Sequence, residues 1–390
     1  MKKREHTTPG IPIKMWLTDI DDKALQQAKN LAMLPFAYKH IALMPDCHAG
    51  FGMPIGGVLA TRGVVIPNAV GVDIGCGIGA IKTDLHHINI RLLTKLTEQI
   101  YKTIPMGFNH HKEMQEAILM PPLVDIPDNT IVRKQYDTAR KQLGTLGGGN
   151  HFIEVQKGSD GYVWIMVHSG SRNIGYKVAD HYNRLAKELR DRWEVKVEKK
   201  YDLAYLPAET QEAKAYMAEM NYCIAFALAN RKLMINNILS LVQDTVKRSV
   251  TILESIDIAH NYARWETHYD EQVLVHRKGA ISAQKGEMGI IPGSQGTKSY
   301  IVQGKGNRES FSSCSHGAGR TMGRKQAQRQ LILNDEIEKL EKKGIIHAIH
   351  STKDLDEAPG AYKNIGTVME LQKDLVHIKL ELSPLAVIKG

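Results

Sequence analysis

The chain has 390 residues, 43% of them apolar and 24% charged, and its 51 basic against 42 acidic residues leave a formal net charge of +9. That apolar share excludes a largely disordered chain, while the positive balance favours polyanionic partners without requiring them. Four cysteines (Cys47, Cys76, Cys223 and Cys314) are too few for a disulfide framework, the opening MKKREHTTPG lacks a signal peptide's apolar stretch, and no apolar run of about 18 residues could span a bilayer. A cytoplasmic protein away from membranes, with reduced thiols, is expected.

Residues 38–83 read as short apolar strands broken by glycine turns, as in HIALMP, GGVLATRGVVIP and GIGAIKT. Residues 88–118 and 131–143 read as helical. HFIEVQ and YVWIMVHSG, separated by the turn-rich KGSDG, read as a strand pair. From about 175 to 247 the chain becomes mainly helical. Between Ala208 and Lys247 it is almost free of Gly and Pro, and its apolar spacing predicts two or more long helices. Cys223, in NYCIAFALAN, falls on that pattern as a core thiol. Strand and loop character returns after Thr251. Residues 320–343 read as one charged helix whose opening, RTMGRKQAQRQ, suits a solvated face as well as it suits RNA. DLVHIKLELSPLAVIKG closes the chain as a strand segment. The expected fold class is α+β, with packed mixed β-sheets flanked by helices.

The polar residues concentrate in glycine-rich turns at strand ends, where backbone approaches a ligand closely and amide N–H groups can face phosphate. In GVDIGCGIG, Asp73 and Cys76 can bind one metal, or two neighbouring metals if the sulfur bridges. In LGTLGGGNHFIEV, Asn150 and His151 follow three glycines and Glu154 lies beyond; His151 suits a metal or a plain surface turn, and on a strand it faces away from Phe152. In VWIMVHSGSRNIG, His168 ends a strand and Arg172 follows small hydroxyl residues, a setting that suits phosphate. His260 and Asn261 in DIAHNYARWE read by default as structural. In SSCSHGAGR, His316 is left open by Gly317 and Gly319, either as a metal ligand or as a nucleophile forming a phosphoramidate. HRKGA and IIPGSQGTKSYIVQG supply Arg277, Lys278 and Lys298 as positive charge, with Ser294 and Ser299 as hydroxyl donors. Their composition is that of a phosphate cradle, but the Walker A spacing is missing. No H-E-x-x-H, G-x-S-x-G or Rossmann fingerprint occurs, so the enzymes that carry them lose ground.

Taken in order, MPDCHAGFG, VGVDIGCG, LGTLGGGNHFIE, VHSGSRNIG, HNY, HRKGA, IIPGSQGTKSYIV, CSHGAGR and the terminal IKG closely resemble the RtcB-type RNA-splicing ligase family, from about residue 12 to the C-terminus. The resemblance implies a single catalytic domain over residues 1–390, with a mainly helical segment at about 175–247. It implies the joining of a 2′,3′-cyclic phosphate or 3′-phosphate RNA end to a 5′-hydroxyl end, in RNA repair or tRNA splicing, using GTP and two divalent cations, usually Mn2+. Asp73, Cys76, His151, His168 and His260 would be the metal ligands, with the Cys76 sulfur bridging. His316 would accept GMP. Asn150, Glu154, Ser294, Ser299, Gly317, Gly319, Tyr362 and Lys389 would hold the guanylate, and Arg172, Arg277, Lys278 and Lys298 would meet RNA phosphates. The donors alone point to Zn2+, so Zn2+ and Co2+ stand beside Mn2+. A monomer is expected. The alternative reading is a dinuclear-metal phosphohydrolase acting on RNA ends.

Overall fold

The computed structural model describes residues 4–390; the first three residues of the N-terminal segment lie outside it. One sheet is six-stranded, in the order Arg4–His6, Ile13–Met15, Ala37–Phe51, Met53–Thr61, Glu271–Lys278, Asn261–His268. A second is seven-stranded, in the order Ile252–Ala259, Gly77–Thr83, Val163–Ser169, Phe152–Gly158, Val376–Lys389, Ser299–Gly304, Met288–Ile291, and two further sheets have two strands each. Strands Ile13–Met15 and Ala37–Phe51 pair in parallel, and the pairs that form the second sheet are antiparallel. The expected α+β architecture of mixed sheets with helices is therefore what the chain adopts.

The strand Val163–Ser169 is buried along its whole length, which explains why VWIMV is continuously apolar rather than alternating. Ile165 and Val167 pack toward Leu96, Ile100, Met234 and Ile238, while Trp164 and Met166 pack toward Ile256, Ile290 and Ile301. The two-residue period of the strand sends alternate side chains into two cores.

Thr210 opens the helix Gln211–Val246 by accepting a hydrogen bond from Ala213 N. This 36-residue helix serves two cores. Tyr216, Met220, Cys223 and Phe226 pack with Ile174 and Val178, and Met234, Ile235, Ile238 and Val242 pack under the seven-stranded sheet. Asn230 and Arg231 fall at the junction. The other long helix is Arg172–Leu189; where two or more long helices are expected between Ala208 and Lys247 the chain forms one, Gln211–Val246, whose apolar positions serve both cores without a break, and Cys223 is fully buried on it. No described helix is long and apolar enough to cross a membrane.

Two further sequence expectations are corrected. The helix expected over 88–118 runs only from Ile90 to Thr103, because Pro105 disfavours helical backbone at Ile104, which is extended. The single helix expected over 320–343 is two, Arg324–Gln330 and Leu333–Glu341. Leu331 and Ile332 between them are extended, and Leu331 packs instead on a small core of Leu340, Ile345, Ile349 and Leu355.

Candidate active site

Strand register gathers the candidate ligands at one end of the seven-stranded sheet. Gly77 stands opposite both Ala259 and Ser169, and His168 stands opposite both Ile78 and Phe152. Cys76 precedes Gly77, His260 follows Ala259 and His151 precedes Phe152, so four side chains remote in sequence meet at neighbouring strand ends. Asp73 joins them from the preceding turn, held where Asn261 Nδ2 donates to its backbone oxygen at 3.0 Å.

Cys76 Sγ lies 3.3 Å from His151 Nε2 and 3.3 Å from His168 Nε2, and His151 Nε2 lies 3.2 Å from Asp73 Oδ2. Two donor sets result, Cys76–His168–His260 and Asp73–Cys76–His151, each with its ligand atoms within 4.8 Å of one another. Cys76 belongs to both. Burial holds His168 and His260 well below the usual histidine pKa, leaving neutral rings with lone pairs to give. Burial would raise the Asp73 carboxyl, but the hydrogen bond and charge of His151 hold it at about 2. Burial, reinforced by Asp73, pushes the Cys76 thiol well up, and a cation would be needed to draw off its proton. His168 Nδ1 sits 3.0 Å from Asn150 O; donation there leaves Nε2 free to ligate. His260 Nδ1 is buried without a hydrogen-bond partner, an orphaned polar atom within the cluster. The donors fit a pair of divalent cations, with three protein ligands each and positions left open for substrate oxygens.

The helix junction braces this cluster. Arg231 is 1% exposed. Its Nη1 donates to Gly75 O at 3.1 Å and Ser169 O at 2.9 Å, while Nε and Nη2 pair with Asp257. Asn230 accepts from Gly144 N and Thr145 N and donates to Gly170 O. The turns that carry Cys76 and His168 are thereby tied to one rigid rod. Glycine is required beside them: a Cβ at Gly147 would lie 2.0 Å from His151 Nδ1, and one at Gly170 would lie 2.3 Å from Asp73 Oδ1.

His316 follows the short strand Ser313–Ser315. Its ring centroid lies 4.8 Å from that of His260. Asp46, fully buried, accepts through one oxygen from His316 N at 3.0 Å and Gly317 N at 3.3 Å, and the same Oδ2 lies 2.6 Å from His316 Nδ1. A cavity of about 740 Å3 is lined by His316 and His168 and, among others, by Asn150, Glu154, Ser294, Tyr362 and Lys389. Gly317 and Gly319 line it too. Ser299 stands behind the wall, accepting from Gln156 Nε2 and Gly293 N at 3.2 Å each. Gln156 in turn donates to Glu154 at 2.6 Å. Burial lifts the Glu154 carboxyl to about 8.

The residues expected to meet RNA phosphates fare differently. Arg277 is 0% exposed and pairs with Glu266 at 2.5 Å, so it is a core cation without access to RNA. Lys278 is buried, donating to Phe51 O at 2.6 Å and Asn68 O at 3.0 Å. Lys298 lies on the surface, paired with Glu381 at 2.5 Å. Arg172 reaches Thr145 Oγ1 at 3.0 Å and Gly107 O at 2.8 Å, bracing the glycine turn before His151.

Sequence reasoning missed Asp46, Asn230, Arg231, Arg320 and Glu357. Glu357, 3% exposed, accepts from Tyr362 Oη and lies 3.2 Å from Arg320 and 3.5 Å from Lys389, fastening one wall of the cavity. Asp46 sits inside MPDCHAGFG, where a carboxylate before a glycine-rich turn was the available signal. Glu357 and the helix pair carry no local signal.

The profile of the family described as "tRNA-splicing ligase RtcB" matches residues 27–390. Among similar proteins, an "RNA-splicing ligase RtcB" of Escherichia coli K12 is 40% identical, covering 98% of each chain. A "tRNA-splicing ligase RtcB" of Thermococcus kodakarensis is 32% identical over 95% of this chain and 91% of its own. One from Nanoarchaeum equitans is 31% identical over 98% and 96%.

Proposed function

The chain belongs to the RtcB family of RNA ligases, and on that premise we propose that it joins a 3′-phosphate or 2′,3′-cyclic phosphate RNA end to a 5′-hydroxyl end through GMP carried on His316. The observation that supports this most directly is the place of His316, beside a dinuclear-type donor cluster and in the lining of a cavity of nucleotide size. Cys76, His168 and His260 would hold one divalent cation, and Asp73, Cys76 and His151 the other; Mn2+ is the proposed occupant. Once bound, the cations neutralise negative charge developing on the phosphates. His316 Nε2 attacks the α-phosphorus of GTP, a P–N bond forms and pyrophosphate leaves. A 2′,3′-cyclic phosphate end is first opened by water, which breaks the bond to the 2′-oxygen; the 3′-phosphate of the RNA then takes GMP from His316, and the 5′-hydroxyl displaces GMP as the phosphodiester forms. Lys389 and Tyr362, set by Glu357, bind and orient the nucleotide. A hydrolase needs no such cavity, which weighs against that alternative.

Incubation with GTP labelled at the α-phosphate, followed by denaturation and peptide mapping, is expected to place acid-labile label on the His316 peptide. A joining assay with one cyclic-phosphate RNA and one 5′-hydroxyl RNA should then yield product only with guanine nucleotide. Label on another peptide, or phosphate release without joining, would overturn the reading.

Glu154 gives a pH signature. A carboxylate can accept the N1–H and amino N–H of guanine, whereas its acid form presents a competing donor. With its pKa at about 8, the group is mostly protonated at pH 6, and binding selects the ionised minority. GTP affinity should therefore rise roughly fiftyfold from pH 6 to pH 8 and level off above that. Glu154→Gln should bind weakly with a flat profile. A wild-type affinity that falls over this range, measured with fluorescent GTP, would remove Glu154 from guanine recognition.

A further inference from the structure

Phe51 is 77% exposed, yet it lines the cavity that holds His316. Its ring lies at the end of the strand Ala37–Phe51, with Lys23 Nζ 6.0 Å from its centroid. Arg324 and Gln326, from the helix Arg324–Gln330, line the same cavity. The Arg324 side chain is half exposed and lies 3.6 Å from Glu357; a Cβ at Gly149 would meet its Nη2 at 2.6 Å, so the guanidinium lies over the turn that leads to His151. Lys325 and Arg329 are exposed and, four residues apart, share one face of the helix. No carboxylate among the described residues forms an ion pair with either. Lys353, also exposed, adjoins them through the hydrogen bond from Gln328 Nε2 to its backbone oxygen at 2.9 Å. Asp21, the acidic group at the Phe51 side of the cavity, is occupied in capping the helix Asp22–Ala32.

Exposed cations on a helix that borders the cavity, with an exposed aromatic face in its lining, are the two parts of a single-strand site: cations hold phosphates and the ring stacks a base of any identity. Inside a duplex the base faces are taken up in the stack, so the ring favours unpaired nucleotides. We infer that the cavity mouth is the entry site for a single-stranded RNA end, with Lys325 and Arg329 holding backbone phosphates beside Arg324 and the Phe51 ring stacking an unpaired base. This rests on the ligase reading and adds the residues that present the RNA to His316.

The test uses full-length protein and a fluorescent single-stranded RNA ending in a 3′-phosphate, alongside a blunt duplex of the same sequence. Guanylylation by labelled GTP is followed on the same preparations. The Lys325→Ala/Arg329→Ala variant should bind single-stranded RNA roughly tenfold more weakly, with the slope of log affinity against log salt reduced by roughly 1.4 for two lost phosphate contacts. Phe51→Leu keeps an apolar side chain without the ring, and should weaken single-stranded binding roughly fivefold or more with little effect on the duplex. Guanylylation should stay within twofold of wild type in both. Unchanged RNA affinity and salt slope would overturn the inference, as would an equal loss of guanylylation, which would make these residues part of the nucleotide site. Equal loss of single-stranded and duplex binding in Phe51→Leu would overturn the stacking. A wild-type protein that neither guanylylates nor joins would instead sink the ligase reading.

Discussion

Replacing Cys76 by alanine is expected to strip both cations from the protein and abolish RNA joining while the fold survives. Cys76 is the one donor common to both sets. Without it His168 and His260 are left as a two-ligand remnant, and so are Asp73 and His151. Two ligands do not make a stable site for a divalent cation, whereas three with open positions do. The fold should tolerate the change because the turn is anchored elsewhere: Arg231 holds Gly75 O and Ser169 O, and Asn261 holds Asp73 O. The lost side chain is small, so the cost should be of the order of 1 kcal/mol. Elemental analysis should find both cations gone, thermal unfolding should remain cooperative, and neither adduct nor joined RNA should form. Retention of both cations would remove Cys76 from its bridging position. Loss of cooperative folding would make the metals structural and favour an RNA-binding protein over an enzyme.

How far the sequence discloses this arrangement depends on the range over which each interaction acts. Asp73, Cys76, His151, His168, His260 and His316 stand beside glycines or at strand ends, and that local chemistry marks them in the chain. Their convergence is set by register between strands far apart in sequence, and only the ordered resemblance to a family could anticipate it. The strand pair at 152–169 and the helix Ile131–Gln142 follow from short-range patterning. The break at Leu331 does not, because the small core that Leu331 packs on is assembled from residues 331 to 387. Arg277 was misread for a related reason. HRKGA looks like a solvent-facing basic cluster, yet Glu266 stands across the strand pair from it, with Tyr262 directly opposite in the register. A cation with a partner that close can be buried, and nothing within the pentapeptide reveals the partner. Asn230 and Arg231 look like ordinary helix residues; their role appears only where the helix passes from one core to the next.

Asp46→Asn is the second substitution expected to have a large effect, and it tests the proposed role of His316 as the nucleophile. Asp46 Oδ2 lies 2.6 Å from His316 Nδ1, so the ring donates its Nδ1 proton there, and Nε2 is left with its lone pair for attack. Burial would raise the Asp46 pKa, but the charge and hydrogen bond of His316 pull it below the usual carboxylate value; the group is ionised throughout the neutral range and can stabilise positive charge as the imidazole attacks phosphorus. Asparagine fits the same space, but the position of Oδ2 takes both backbone N–H groups as well as the ring, so an amide nitrogen turned to the ring gives up those two contacts. Its amide, turned to the ring, donates to Nδ1 and forces the proton onto Nε2, the tautomer that cannot attack. Loss of the same kind of orienting carboxylate from a catalytic histidine in serine proteases lowers turnover about 10⁴-fold, and a fall of about 10³-fold or more in the rate of adduct formation is expected here. GTP affinity should change little, since Glu154, Tyr362 and Lys389 are untouched, and cation content should stay at the wild-type level. Single-turnover guanylylation across pH separates this from a folding defect, because a change of pH does not move the proton of the neutral ring from Nε2 to Nδ1. Recovery of the wild-type rate at high pH would show that Asp46 acts on the charge of His316 and not on its tautomer, and a variant as fast as wild type at neutral pH would remove Asp46 from the reaction.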